Sequence, residues 1–219
     1  MPSYTEENYL KAIYKLAEAQ PGIEVSTNSV AEALQTRAAS VTDMLRRLGE
    51  KGLLHYTRYR GVTLSEEGRR LALLTIRKHR LWEVFLVQHL GFSWDEVHDV
   101  AEQMEHIDSD LLIRRLDEFL GYPRHDPHGD PIPSAEGVLL RPQHRLVSDL
   151  RPGDKGTIVA VKNTSVPFLQ YLDKLGLTLG TRLEVLDKIL FDNSLEIKVN
   201  ELSKHLISVE VSRNLYVAE

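Results

Sequence analysis

A proline-dense segment divides this chain into two stretches with different hydrophobic periods. Tyr122-Pro123-Arg124-His125-Asp126-Pro127-His128-Gly129-Asp130-Pro131-Ile132-Pro133 carries four prolines. Each one fixes φ and removes a backbone donor, so neither a helix nor a strand ladder can run through it. Before it, apolar residues recur mostly at the helical spacing. After about Leu146 they recur every second residue. The pattern therefore predicts a helical part, a linker and a small β part.

The helical part can be segmented. Tyr9, Leu10, Ile13, Tyr14, Leu16 and Ala17 form one stripe, with Thr5 as a plausible N-cap and Gln20-Pro21-Gly22 as the stop. Ser26 or Thr27 caps a short second helix through Leu34. A third runs from about Ala38 to Glu50, with Val41, Met44, Leu45 and Leu48 inward and Lys51-Gly52 closing it. Two β-prone runs between Leu53 and Leu64 flank Arg58-Tyr59-Arg60-Gly61, the pattern of a hairpin. A helix restarts at Ser65 and continues to about Leu90. Another runs from Ser93 or Trp94 to about Ile107, and a further one ends at Leu120. Past the linker, 156–161, 182–186, 195–199 and 207–211 predict strands of a small barrel.

Charge is unevenly distributed. The net −5 conceals a basic first third, where residues 1–80 hold 13 Lys and Arg against 9 Asp and Glu. Residues 81–150 hold 5 against 14. A basic segment suits a polyanion and an acidic one suits cations. Cysteine is absent, which excludes disulfides and thiolate metal sites. No apolar run approaches the roughly 20 residues needed to span a bilayer, and the N-terminus lacks the pattern of a signal peptide. A cytoplasmic protein with no membrane partner is expected.

Helix, break, longer helix and basic hairpin is the order of a winged helix-turn-helix. The start of the second helix of such a unit faces base edges in the major groove of double-stranded DNA. Here those residues are Arg37, Ala38, Ala39, Ser40, Thr42 and Asp43, with Arg46 and Arg47 one turn on, suited to phosphates. Arg58, Tyr59 and Arg60 at the hairpin tip are candidates for backbone or minor-groove contact.

The acidic middle holds ligand-type side chains. Read as one helix, Val97 to His106 brings His98, Glu102, Glu105 and His106 onto a single face. His79 and Glu83 share a face one turn apart on the preceding helix. With His98 they would make one set between adjacent helices, and Glu102, Glu105 and His106 a second. Imidazole and carboxylate donors without sulfur suit Mn(II) or Fe(II) and tolerate Zn(II), Co(II) or Cd(II) as substitutes in vitro.

At these motifs the chain resembles the diphtheria-toxin-repressor family of metal-dependent transcriptional repressors. The resemblance runs over Thr5 to Tyr14, Ser40-Val41-Thr42, Arg77-Lys78-His79-Arg80-Leu81, Glu105-His106 and Gly129-Asp130-Pro131-Ile132-Pro133, and covers essentially the whole chain. It implies a mainly α protein in three domains. These are a winged helix-turn-helix over 1–70, a helical dimerisation and metal-binding domain over 71–121 and, after a linker at 122–146, an SH3-like barrel over 147–219. It implies a homodimer, an operator with two-fold symmetry and control of metal-uptake genes. It assigns Asn8, Glu102, Glu105 and His106 to a primary site and His79, Glu83 and His98 to an ancillary one.

The iron-responsive branch has methionine and cysteine where this chain has Asn8 and Glu102, and the manganese-responsive branch has carboxylates at both, so Glu102 tilts the chain toward manganese while Asn8 matches neither branch. Lys11 stands where two-domain manganese regulators have a glutamate, so their binuclear cluster is not expected. Thr164 and Pro167 stand where the iron branch has ligands from its last domain. The same residues leave other readings open: a metallohydrolase built on the His and Glu cluster, a metal-independent winged-helix regulator, or an SH3-like module with the proline-rich segment as its internal ligand.

Overall fold

A computed structural model describes residues 2–57, 60–140 and 142–218. Arg58 and Tyr59, expected at the hairpin tip, lie outside the described residues. Among those described there are eight α-helices and eight strands. They fall into two compact units, neither continuous in sequence. The first is Met1–Trp82, Glu102–Glu118 and Ile132–Leu140, and the second is Glu83–Ala101, Phe119–Pro131 and Arg141–Glu219.

The first unit begins with α1 (Tyr4–Ala19). Its N-cap is Ser3 rather than Thr5. Ser3 Oγ accepts from the Glu6 amide and the Glu6 carboxylate accepts from the Ser3 amide, a reciprocal box that satisfies two end donors. Thr5 lies inside the first turn and has no such role. Helices α2 (Thr27–Ala33) and α3 (Ala38–Glu50) follow, joined by a tight turn in which Gln35 takes a left-handed φ of 48°. Leu10, Ile13, Val30, Val41, Leu45 and Leu48 are fully buried in one core. Strands β1 (Leu54–Thr57) and β2 (Gly61–Leu64) pair antiparallel, and Val25 bridges to Val62 at the hairpin's flank. Gly61 is required there. Its φ is 136°, and a β-carbon would stand 2.5 Å from the Val25 carbonyl oxygen.

Helix α4 (Glu66–Leu90) is the longest element. The next, α5 (Val97–Met104), is shorter than its sequence suggests. A turn in which the Glu96 amide bonds the Ser93 carbonyl precedes it, and another, from the Ile107 amide to the Met104 carbonyl, ends it. Glu105 and His106 therefore sit in the turn after α5, not on its face. Helix α6 (Asp110–Phe119) follows. Arg77 of α4 ties it down through Asp117 at 2.5 Å and holds the Pro133 carbonyl at 2.6 Å.

The second unit contains a six-stranded antiparallel sheet with the order β3-β8-β4-β5-β6-β7. The strands are β3 (Arg145–Leu146), β4 (Lys155–Val161), β5 (Arg182–Lys188), β6 (Leu195–Val199), β7 (Ser203–Ile207) and β8 (Leu215–Ala218). The stretch expected as a strand over 207–211 is instead mostly the short helix α8 (Val209–Ser212). Ser208 caps it by accepting from the Val211 amide, and this local bond overrides an alternation of only a few residues. Helix α7 (Val166–Leu175), absent from the sequence reading, starts with Pro167 in its first turn and ends at Gly176 in the left-handed region. Leu169 and Leu172 of α7 join Ile158, Val185, Leu195 and Ile197 in the unit's core.

Candidate metal centre and nucleic-acid interface

In the first unit, α1, α4, the end of α5 and the turn after it carry Asn8, Lys11, His79, Glu102, Glu105 and His106. Glu105 is completely buried and His79 nearly so. His106 Nδ1 lies 2.6 Å from Glu7 Oε2. An ionised carboxylate only accepts, so Nδ1 carries a proton, and in the neutral ring Nε2 presents its lone pair. That Nε2 stands 3.5 Å from Glu105 Oε1. Both atoms are buried without a hydrogen-bond partner, and so is Asn8 Oδ1. Three orphaned acceptors on three of the four residues expected at a primary site fit a hard divalent cation. Desolvated and unpaired, each costs about 1–3 kcal/mol.

The other carboxylate edge is differently engaged. Glu105 Oε2 lies 2.5 Å from Lys11 Nζ and 2.6 Å from His79 Nδ1. Glu102 Oε2 lies 2.6 Å from the same ammonium. Burial opposes ionisation of Glu102, but the charge and hydrogen bond of Lys11, aided by His79, hold its carboxyl below the usual range. Neither the position nor the importance of Lys11 followed from ligand spacing, because lysine is not a ligand type.

The second unit gathers Glu83, His98, Asp126 and His128. His98 Nδ1 lies 3.6 Å from Glu83 Oε1, and His128 Nδ1 lies 3.8 Å from Glu83 Oε2. Asp126 Oδ1 is 4.0 Å from His128 Nδ1. Glu83, Asp126 and His128 are all buried, and their ligand atoms fall within 4.8 Å of one another. His128 Nε2 is 2.8 Å from the Trp94 carbonyl, so it donates there and its Nδ1 faces the carboxylates. Burial disfavours the charged ring, but hydrogen bonding to Glu83 and the charges of Asp126 and Glu83 push His128 up to about 9.

Asp126 and His128 were missed in sequence. They lie inside the segment read only as a linker, two residues apart across Pro127. That spacing of carboxylate and imidazole was the available signal. Of the residues aligned with ligands of the iron branch, Pro167 has become the start of α7.

The candidate nucleic-acid face is simpler. Arg37, Ala38, Ala39, Ser40, Thr42, Asp43, Arg46 and Arg47 are all exposed, while Val41, Leu45 and Leu48 of the same helix are buried. Thr42 Oγ1 donates to the Ala38 carbonyl at 3.0 Å. Arg60 is exposed beside the hairpin and stands 3.6 Å from Glu24.

Comparison with known proteins gives three family matches. "Iron dependent repressor, N-terminal DNA binding domain" matches residues 1–62. "Iron dependent repressor, metal binding and dimerisation domain" matches 65–134, and the FeoA domain matches 145–219. The diphtheria toxin repressor of Corynebacterium glutamicum is 30% identical over 220 residues, covering 94% of this chain and 96% of that one. The iron-dependent repressor IdeR of Mycobacterium tuberculosis is 40% identical over 139 residues, covering 64% of this chain and 60% of that one. Among solved structures, a manganese-dependent transcriptional repressor in complex with manganese superposes with a TM-score of 0.86 at 36% identity, covering 98% and 99% of the two chains. The repressor ScaR with bound Zn2+ gives 0.77 at 31%, covering 98% and 99%. Among the described residues no helix is long and apolar enough to cross a membrane. The chain belongs to the iron-dependent repressor family of metal-dependent transcriptional repressors, which are DNA-binding regulators and not enzymes.

Proposed function

We propose that this chain is a manganese-responsive, homodimeric, cytoplasmic repressor of metal-uptake genes. The supporting observation is the set of orphaned acceptors Asn8 Oδ1, Glu105 Oε1 and His106 Nε2. With Glu102 they form an oxygen-rich donor set free of sulfur, which favours Mn(II) over softer ions and still admits Fe(II). A bound divalent ion would supply positive charge beside Glu105 Oε1 and His106 Nε2, which stand 3.5 Å apart. Glu7 fixes the imidazole of His106 through Nδ1, and Lys78 steadies Glu7 at 3.0 Å. Asn8 lies on α1, whose buried face packs into the same core as α3. The position of α1 is therefore mechanically tied to the surface that would meet operator DNA.

Glu83, His98 and the linker residues Asp126 and His128 are candidates for a second ion, and His79 remains a candidate ligand. The division into 1–70, 71–121, 122–146 and 147–219, and closure of the last sheet into an SH3-like barrel, belong to the same reading. So does an internal contact of the proline-rich segment with that domain, supported by the bond from the Val161 amide to the His128 carbonyl at 2.9 Å. The test is a mobility-shift titration on the promoter of a metal importer, with Mn(II) and then with chelator. Binding should require Mn(II) and should lose that requirement's benefit in Glu105→Ala. Equal binding in both conditions would sink the proposal.

A further inference from the structure

In the second unit, α7 grips the loop that leads into α5. Trp94 Nε1 donates to Asp173 Oδ2 at 3.1 Å, and Gln170 Nε2 donates to Asp95 Oδ2 at 3.0 Å. Gln170 and Asp173 stand three residues apart on α7 and so share one helix face. The Trp94 ring packs against the core that Leu169 and Leu172 join. The loop is also closed on itself. The Ser93 amide donates to the Glu96 carboxylate at 3.1 Å, and the Glu96 amide donates to the Ser93 carbonyl.

The far side of this loop meets the second ligand group. The Trp94 carbonyl accepts from His128 Nε2 at 2.8 Å. Its indole lies 16° from parallel with the imidazole, with 6.3 Å between ring centroids. A ligand imidazole rests its other nitrogen on such an acceptor, which fixes the ring and leaves one nitrogen for the ion. Here that nitrogen is Nδ1, 3.8 Å from Glu83 and 4.0 Å from Asp126. His98 is the second residue of α5, directly after the loop. Asp173 itself belongs to no ligand group among the described residues.

We propose that Gln170 and Asp173 are positioning residues for the second ion. They act at one remove, by holding the Trp94 carbonyl where it orients His128 for coordination through Nδ1. The inference rests on the reading of Glu83, His98, Asp126 and His128 as a second ion site.

The test is Mn(II) titration calorimetry on the full chain, with His128→Ala identifying which ion belongs to this set. Asp173→Ala should weaken that ion about three- to tenfold and leave the other unchanged. Trp94→Phe removes the indole donor, keeps a ring in place and should do the same. The two changes together should cost no more than one, because they delete the same bond. Asp173→Asn keeps an acceptor oxygen and should restore the affinity. In chelator, the His128 Nε2 proton followed by NMR should exchange with solvent faster in Asp173→Ala than in wild type.

If His128→Ala loses no ion, the second-ion reading fails and this inference with it. If His128→Ala loses one while Asp173→Ala and Trp94→Phe bind it as wild type does, the positioning inference alone is overturned. Additive losses, equal losses at both ions or no rescue by Asp173→Asn also overturn it, since each marks general loosening of the fold. Should Trp94→Phe not fold, Gln170→Ala with Asp173→Ala decides, because both side chains are exposed. That pair should weaken only the ion lost in His128→Ala, and unchanged binding overturns the inference.

Discussion

His106 Nε2 and Glu105 Oε1 face one another at 3.5 Å, two buried acceptors with no donor to either. Glu7 is the reason, because it accepts a hydrogen bond from Nδ1 of the ring and so leaves Nε2 as the acceptor of the neutral imidazole. In the proposed centre an ion between them would replace the contact of two lone pairs with attraction to each. At a free Mn(II) concentration 100 times the dissociation constant, binding should stabilise the fold by about 2.7 kcal/mol. His106→Ala should unfold in chelator near the wild-type temperature and lose most of the Mn(II)-induced rise. A thermal melt with and without Mn(II) measures both. An undiminished rise would remove His106 from the site.

Metal preference should follow the two residues of the proposed primary site that differ from the iron-responsive branch. Asn8 and Glu102 offer oxygen, whereas methionine and cysteine offer softer sulfur. The double variant Asn8→Met, Glu102→Cys should favour Fe(II) over Mn(II) as the activating ion, by about tenfold or more in the concentration ratio needed for half-maximal operator binding. Anaerobic anisotropy titrations with each ion read the ratio. An unchanged ratio would place selectivity elsewhere.

The helices of the DNA-reading part were legible because burial there follows the helical period, as with Val41, Leu45 and Leu48. The candidate ligand residues stand out in sequence by type and spacing, but their geometry does not. A turn withdraws Glu105 and His106 from the helix face that periodicity assigns them. Asp126 and His128 were hidden because prolines signal only the absence of regular structure, whereas the chain around Gly129 is tightly ordered by bonds to Asp126 and Val161. In the last domain, strands marked by alternation in long runs were found. Helix α8 was not, since its Ser208 cap outweighs alternation over three or four residues, and neither was α7, whose Ser165 makes no side-chain cap and which lies between two strand runs.

His128 gives a pH dependence. Its folded-state value of about 9 lies above the ordinary 6.5, so the folded state holds the proton more tightly. The stabilisation, on the order of 3 kcal/mol, is complete below pH 6.5, falls as pH rises and is lost above about 9. In chelator, wild type should lose stability across that window and His128→Gln should lose less. Coordination needs the neutral ring, so Mn(II) affinity at the Glu83, Asp126 and His128 set should rise over the same range with release of a proton. Denaturant melts and calorimetry in buffers of different ionisation heat test the two halves.

The exposed arginines of α3 should act through charge. Arg47 points away from the core and suits a phosphate. Arg47→Ala should weaken operator and unrelated DNA alike and reduce the slope of log affinity against log salt by about 1. Ala39→Glu, by contrast, should alter discrimination between operator and nonspecific DNA. Titrations at several salt concentrations separate the two. A specific loss in Arg47→Ala with an unchanged slope would argue for base contact instead.

Gly129 holds the second ligand group in place. Its φ is 87°, and a β-carbon there would come within 2.0 Å of the Val159 carbonyl oxygen and 2.7 Å of Ala160 Cβ. Both obstacles belong to a strand that cannot yield without disturbing its neighbours β5 and β8. Gly129→Ala therefore combines left-handed strain with overpacking, and should cost about 2–5 kcal/mol. The displaced segment carries Asp126 and His128, so the same variant should lose Mn(II) affinity at that set while keeping the ion held by Glu105 and His106. Manganese counted per chain should fall by one. A fully loaded, wild-type-stable variant would show that the segment can be re-seated, and that Asp126 and His128 are not held as ligands by this turn.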